Sequence, residues 1–133
     1  MAQPKAGQPF VLLSSSAETA TRTSDGFNIP GTQGLFLFMD VTAESATPLI
    51  TVSIEAKMPQ GTTYEQICAF AQLALSGAAQ YIMVAAPGLL AAGVNGTNAE
   101  GLQCYVPPQF RIVATAADAD SATYSVGGWA LKG

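Results

Sequence analysis

Residues 34–57, GLFLFMDVTAESATPLITVSIEAK, constrain the fold of this chain more than any other stretch. They contain two alternating runs separated by a polar break, and a two-residue period is typical of β-strands, whose side chains point to opposite faces. In residues 50–57 one face is apolar and the other is polar, which predicts a strand with one side in water. In residues 35–41 both faces carry apolar side chains, so both faces need a cover.

Phe36 and Phe38 form the second apolar face of the run 35–41, opposite Leu35 and Leu37. Two phenylalanines opposite a full apolar face lie either between two sheets of the same chain or under a partner, because large exposed apolar patches are uncommon. The residues alone leave these two alternatives open.

The rest of the chain shows similar short runs, separated by turn signals such as Asp25-Gly26. Residues 62–79 fit both a helical period and a period of two; because the neighbouring runs are strand-like, we predict strand there. Seven or eight short strands without a convincing long helix predict an all-β protein, a single antiparallel β-sandwich or jelly roll over residues 10–133.

Residues 1–9 precede this domain and contain Pro4, Gly7 and Pro9, which disfavour a helix and predict an extended N-terminal arm. Such an arm either frays, as many termini do, or clasps a neighbouring molecule. In the second case Pro4, Pro9 and Phe10 are candidate contact residues.

The low charge content excludes some partners and favours others. Charged residues make up 11% of the 133 residues, against roughly 25% in soluble domains, and the net charge is −4. We therefore expect no nucleic-acid partner, because nonspecific binding depends on positive charge. A weakly charged surface fits a subunit of a protein assembly. No stretch approaches the roughly 18 apolar residues of a membrane helix or shows a signal-peptide core, so we expect no membrane partner and synthesis in the cytoplasm.

The side chains needed for catalysis are scarce. There is no histidine, and neither a Gly-x-Ser-x-Gly motif nor a phosphate-binding loop occurs, so we predict no enzymatic activity and no cofactor. Cys68 and Cys104 lack metal-ligand spacing, and we interpret them as two small buried side chains and predict no metal. Asp118 and Asp120 match the tip of a hairpin better than a calcium site.

Several aromatic side chains are further candidates for binding. Trp129 and the tyrosines, Tyr105 among them, form either a sugar-stacking platform or core and subunit contacts, the commoner fate of isolated aromatic residues. The candidate protein-interface residues are Pro4, Pro9, Phe10, Phe36, Phe38, Tyr105 and Trp129.

The segment 34–57, followed by TTY, AAPG, FRIVATA and ATYSVGGWAL, resembles small virion structural proteins of tailed bacteriophages. The shared pattern is a Gly-apolar strand that runs into Asp-Val-Thr-Ala, a Thr-Pro break, a strand of the Val-x-Ile-Glu type and a Thr-Tyr-Ser-Val ending. The likeness extends over about residues 26 to 131 and is carried by several strands, not by one signature.

The resemblance implies a β-sandwich subunit of the virion, most specifically a decoration or cement protein on the outside of the head. Proteins of this type are commonly trimers, so the implied partners are copies of the chain itself and the major capsid protein. The implied location is the capsid exterior, after synthesis in the host cytoplasm. A tail or neck subunit and a carbohydrate-binding β-sandwich module remain as alternatives.

Overall fold

The computed structural model describes residues 4–88 and 98–132, and within these ranges the regular structure consists of strands without a helix. The strands are β1 (Pro9–Glu18), β2 (Arg22–Thr23), β3 (Phe27–Asn28), β4 (Thr32–Glu44), β5 (Leu49–Lys57), β6 (Tyr64–Ala69), β7 (Leu73–Ala74), β8 (Ala79–Ala86), β9 (Ala99–Gln103), β10 (Gln109–Ala116) and β11 (Ala122–Lys132). The predicted all-β class is confirmed.

Two sheets pack against each other. The five-stranded sheet has the order β1-β11-β4-β8-β9, and the six-stranded sheet has the order β2-β10-β5-β6, with β3 also paired to β10 and β7 to β5. The pairings are antiparallel except that of β8 with β9, which is parallel. The predicted β-sandwich is therefore confirmed, with one parallel pair added to it.

The chain crosses between the sheets repeatedly. β1, β4, β8 and β11 lie in the five-stranded sheet, whereas β2, β5, β6 and β10 lie in the other sheet. Strands that are distant in sequence become neighbours, because β11 lies between β1 and β4 while β10 lies between β2 and β5. This arrangement is that of a double-sheet jelly roll, so strand pairing depends on contacts far apart in the chain.

The core lies between the sheets and contains the side chains that the two-residue period places on one face of each strand. On β4 these are Leu35, Leu37, Met39 and Val41, none more than 1% exposed. On the facing sheet they include Ile50, Val52 and Ile54 of β5 and Phe110 and Ile112 of β10. Burying each such side chain contributes about 1.5–3 kcal/mol, and these layers hold the sheets together.

The regular structure within residues 62–79 consists of β6, β7 and the first residue of β8, so the strand prediction for this ambiguous segment is confirmed. Both short strands pair with β5, β6 through Ser53–Lys57 and β7 through residues 49–50. The sequence of this segment fits both a helical period and a period of two, and hydrogen bonds to the long central strand β5 favour the strand.

At the N-terminus, residues 4–8 bend back toward the sheet before β1 begins. Gly7 has a φ of 84°, and its amide donates a hydrogen bond to the carbonyl oxygen of Ala130 at 3.0 Å. Residues 1–3 lie outside the described residues. Contact of this arm with a neighbouring molecule stays a prediction.

Candidate protein-binding face

The outward-facing side of the five-stranded sheet is mainly apolar. Its strands are in register so that Trp129 of β11, Phe36 of β4 and Val84 of β8 lie side by side. The next row contains Gly127, Phe38 and Ile82, with Val11 of the edge strand beyond Gly127. We call this surface the apolar face and define it by Pro9, Val11, Phe36, Phe38, Ile82, Val84, Trp129 and Leu131.

Several large side chains of the apolar face are open to solvent in the single chain. Val11 is 63% exposed, and Phe38 and Trp129 are each 37% exposed. The rings of Phe36 and Trp129 meet edge to face with their centroids 5.4 Å apart, so the two side chains pack on each other. The face is therefore a continuous apolar surface and not a set of isolated exposed residues.

A groove of about 400 Å³ crosses the apolar face above Gly127. Val11, Phe38 and Trp129 contribute to its walls, and the missing side chain of Gly127 leaves its floor open. A Cβ atom at this position would lie 3.0 Å from the carbonyl oxygen of Phe10 on β1, closer than side chains normally approach. The close approach of β1 and β11 thus favours glycine here, and glycine in turn creates a depression that can accept a side chain of a partner.

A polar row ends the apolar face on one side. Gln80 of β8 donates a hydrogen bond from its side-chain nitrogen to Asp40 Oδ1 at 3.1 Å, and Ser125 of β11 pairs with Asp40 from the other neighbouring strand. Apolar centres bordered by polar residues are typical of protein–protein interfaces.

The outward-facing side of the six-stranded sheet has the opposite character. Arg111 donates a hydrogen bond from Nε to Glu55 Oε1 at 2.6 Å, and its guanidinium carbon lies 4.3 Å from the centroid of the Tyr64 ring. We call this surface the polar face and define it by Thr51, Glu55, Lys57, Tyr64, Arg111, Val113 and Thr115. Its central charged pair has its partners within the chain.

The structure brings together four of the seven predicted interface residues, Pro9, Phe36, Phe38 and Trp129, on the apolar face. Phe36 and Phe38 therefore do not lie between the two sheets, because their side of β4 is the outside of the sandwich, and their burial under a partner stays a prediction.

The other three predicted interface residues lie elsewhere. Phe10 points inward, where its ring centroid lies 5.1 Å from that of Phe27 and 6.5 Å from that of Phe110. Tyr105, which is 54% exposed, lies between β9 and β10, and Pro4 lines a surface depression together with Lys132. Phe10 pairs with Gly128, which lies on the inner side of β11, and paired residues of neighbouring strands point to the same face, so the Phe10 side chain points inward.

Sequence reasoning missed four members of the apolar face, Val11, Ile82, Val84 and Leu131. For Ile82 and Val84 a signal exists, because residues 81–86 are apolar on both faces in the same way as residues 35–41. Two strands with two apolar faces, paired side by side, indicate a continuous outer patch.

The described residues contain no group of three or more histidine, cysteine, aspartate or glutamate side chains that could hold a metal ion. Asp118 accepts a hydrogen bond at 3.2 Å from the backbone amide of Asp120, a local turn contact. Within the same ranges there is no helix long and apolar enough to cross a membrane.

Comparisons with protein-family models, curated proteins and solved structures find no match. The apolar face is thus the main physical evidence on what the protein does.

Proposed function

We propose that this chain is a virion structural protein of a tailed bacteriophage, a decoration or cement subunit that binds the outside of the head. The observation that carries the proposal is the apolar face, where four predicted interface residues meet beside a groove on one side of the sandwich. A jelly roll is one of the architectures used by viral capsid domains, although it also serves other functions. The resemblance of residues 26–131 to small virion proteins is the reason for proposing a phage virion as the assembly.

The apolar face has the features of a binding surface for a large protein partner. Phe38 and Trp129 are partly exposed aromatic side chains, and residues of this kind dominate binding energy when a partner buries them. The polar row at Asp40 marks one border of the surface. We assign this face to the major capsid protein and propose that copies of the chain form a homotrimer on the shell.

Stabilisation of the head follows from binding alone. A subunit that binds the mature shell and not its precursor or its dissociated proteins shifts the equilibrium toward the mature shell by mass action. The net charge of −4 suits a position that faces solvent and capsid protein and not the packaged DNA. The mechanism contains no chemical step.

The direct test mixes the purified chain with expanded heads of the virus that encodes it. Mass determination in solution should give an oligomer, sedimentation should show the chain bound to heads, and imaging should place it on their outer surface. Bound heads should also resist heat better than bare heads. A monomeric protein that does not bind heads would contradict the proposal. Binding at the tail or neck would instead support the alternative of a tail or neck subunit.

The partly exposed ring of Trp129 beside the groove favours one second candidate, a carbohydrate-binding module. Trp129 is the only tryptophan of the chain, so its fluorescence reports directly on the groove. A glycan that changes this fluorescence to saturation, together with loss of the response in Trp129→Ala, would support carbohydrate binding in place of the virion role.

A further inference from the structure

Cys68 and Cys104 are far apart in sequence but adjacent in space. Cys68 lies on β6, and Cys104 directly follows β9. Both cysteines are free, half-buried and packed against the core, and the Cys104 side chain contacts Ile67, the residue before Cys68.

The two cysteines lie where edges of the two sheets meet. β6 ends the six-stranded sheet and β9 ends the five-stranded sheet. The backbone amide of Ala71, after β6, donates hydrogen bonds to both carboxylate oxygens of Glu100 on β9, at 2.9 and 3.0 Å. The Cys104 sulfur also lies 4.0 Å from the carbonyl oxygen of Ile67. We call this contact between the edges the seam, and it holds the thiols together without a covalent bond.

We propose that Cys68 and Cys104 are a redox-sensitive pair, which forms an intramolecular disulfide across the seam when the chain meets an oxidising solution. The oxidant we assign is a small external disulfide such as oxidised glutathione. The thiolate of one cysteine attacks a sulfur atom of this disulfide and expels one glutathione thiolate. The second cysteine then attacks the mixed disulfide and expels the other glutathione thiolate. Two protein thiols are oxidised, one external disulfide is reduced to two thiols, and the protons of the cysteines pass to the released thiolates.

The environment of Cys68 slows the oxidation of the pair. Burial, followed by the neighbouring Cys104, raises the pKa of the Cys68 thiol and so lowers the fraction of reactive thiolate at neutral pH. At neutral pH the pair therefore reacts slowly with an external disulfide, and the protein disulfide forms only when the oxidant persists. This inference goes beyond the proposed function and holds whether or not the chain binds viral heads.

A disulfide at the seam should stabilise the fold measurably. It would close the loop of residues 68–104 and join the two sheets at edges that otherwise meet through hydrogen bonds. Restricting the unfolded chain by a loop of this length should raise the melting temperature by roughly 10 °C.

The test incubates the full chain with oxidised glutathione at about pH 8.5, where more thiolate is present. The product is then unfolded, treated with an alkylating agent and mapped by mass spectrometry. We expect no alkylation, a mass lower by two hydrogen atoms, a peptide that links Cys68 to Cys104, and a higher melting temperature that reverts on reduction.

Cys68→Ser and Cys104→Ser are the matched controls, and neither should gain heat stability from the oxidant. The wild-type comparison of oxidised and reduced protein stands by itself if a variant does not fold. Two thiols that remain free, glutathione adducts without a protein cross-link, or dimers linked between chains would each overturn the proposal.

Discussion

The outer faces of β4 and β5 are both exposed sides of central strands, yet their side chains differ in kind. On β4 the outward residues Phe36 and Phe38 are aromatic, and Phe38 is 37% exposed. On β5 the outward residue Glu55 is bonded to Arg111 of the neighbouring strand. The central charges of the polar face are paired within the chain, whereas the apolar face offers apolar surface that the described residues leave exposed.

This difference indicates where we expect a partner to bind. The buried faces of both strands serve the same core, so the stability of the sandwich does not require aromatic residues on the outside of β4. The exposed fractions of Phe38 and Trp129 represent apolar area that a partner can remove from water. Substitutions on the two faces should therefore separate binding from folding.

The largest expected effect is that of Phe38→Lys, which places a charge at the centre of the apolar face. We expect binding to expanded heads to weaken by more than about 30-fold, because a lysine in a desolvated interface loses its hydration without gaining a partner. The melting temperature should change little, because Phe38 is partly exposed in the single chain. Sedimentation with heads and thermal unfolding measure the two effects.

Val113→Lys is the matched control, because Val113 lies on the polar face of β10 and gives the same charged product. It should bind heads as the wild type does. A Phe38→Lys protein that stays oligomeric but does not bind assigns the apolar face to the shell, and one that becomes monomeric assigns this face to contacts between copies. Equal losses for both variants would contradict the contrast between the faces.

Trp129→Ala should have the next largest effect, a loss of head binding of about tenfold. Its ring packs edge to face on Phe36, so its removal also loosens a neighbouring side chain. In the wild type the fluorescence emission of Trp129 should shift to shorter wavelengths on binding as the ring leaves water. No shift on heads that demonstrably carry the protein would place the contact away from the groove.

The sequence predicts which side chains share a face of β4 and which share a face of β5, because a period of two residues fixes this whatever the strands pair with. It does not predict which side of β4 is covered by the second sheet. That depends on the pairing of β4 with β11 and β8, strands distant in the chain. Phe10 shows the same limit, because its inward position follows from its register with Gly128.

The seam lies beyond sequence reasoning for a related reason. Cys68 and Cys104 meet because β6 and β9 are edge strands of different sheets that meet on the same side of the sandwich. The sequence spacing of the two cysteines does not indicate that they lie close together. The interpretation of them as two small buried side chains therefore misses their proximity. In both cases the missing information is the order of strands in the sheets.

Tyr124→Phe tests whether a change in the core beneath the apolar face affects binding at that face. Tyr124 lies on β11 with its side chain inward, 1% exposed, and its hydroxyl has no hydrogen-bond partner among the described residues. Removing an unpartnered buried hydroxyl should change the free energy of unfolding near neutral pH by less than about 1 kcal/mol, toward greater stability. Head binding should not change, and a loss would mean that the core and the face are coupled.

The same variant should alter the stability at high pH. Burial raises the pKa of Tyr124 above its ordinary value of about 10, although Arg22, whose guanidinium carbon lies 4.8 Å from the ring centroid, opposes the shift. Above pH about 10 the unfolded chain loses this proton before the folded chain does, so stability falls as pH rises through the raised pKa. Denaturation measured from about pH 9 to 11 should show a shallower decline for Tyr124→Phe. Identical slopes would mean that Tyr124 ionises equally in both states.

The smallest expected effect belongs to Glu55→Gln on the polar face. The variant removes one charge from the ion pair with Arg111, whose two side chains are partly exposed, at 20% for Glu55 and 32% for Arg111. Exposed pairs contribute up to about 1 kcal/mol, so the free energy of unfolding should fall by no more than this amount, and by less in high salt. Denaturant unfolding at low and high salt measures the loss, with Glu65→Gln on the neighbouring strand β6 as a control for the charge alone.

Head binding of Glu55→Gln should be unchanged, because Glu55 and Arg111 pair with each other within the chain. A loss of binding comparable to that of Phe38→Lys would show that the partner contacts both faces, and the chain would then lie between neighbouring molecules and not on the surface of one.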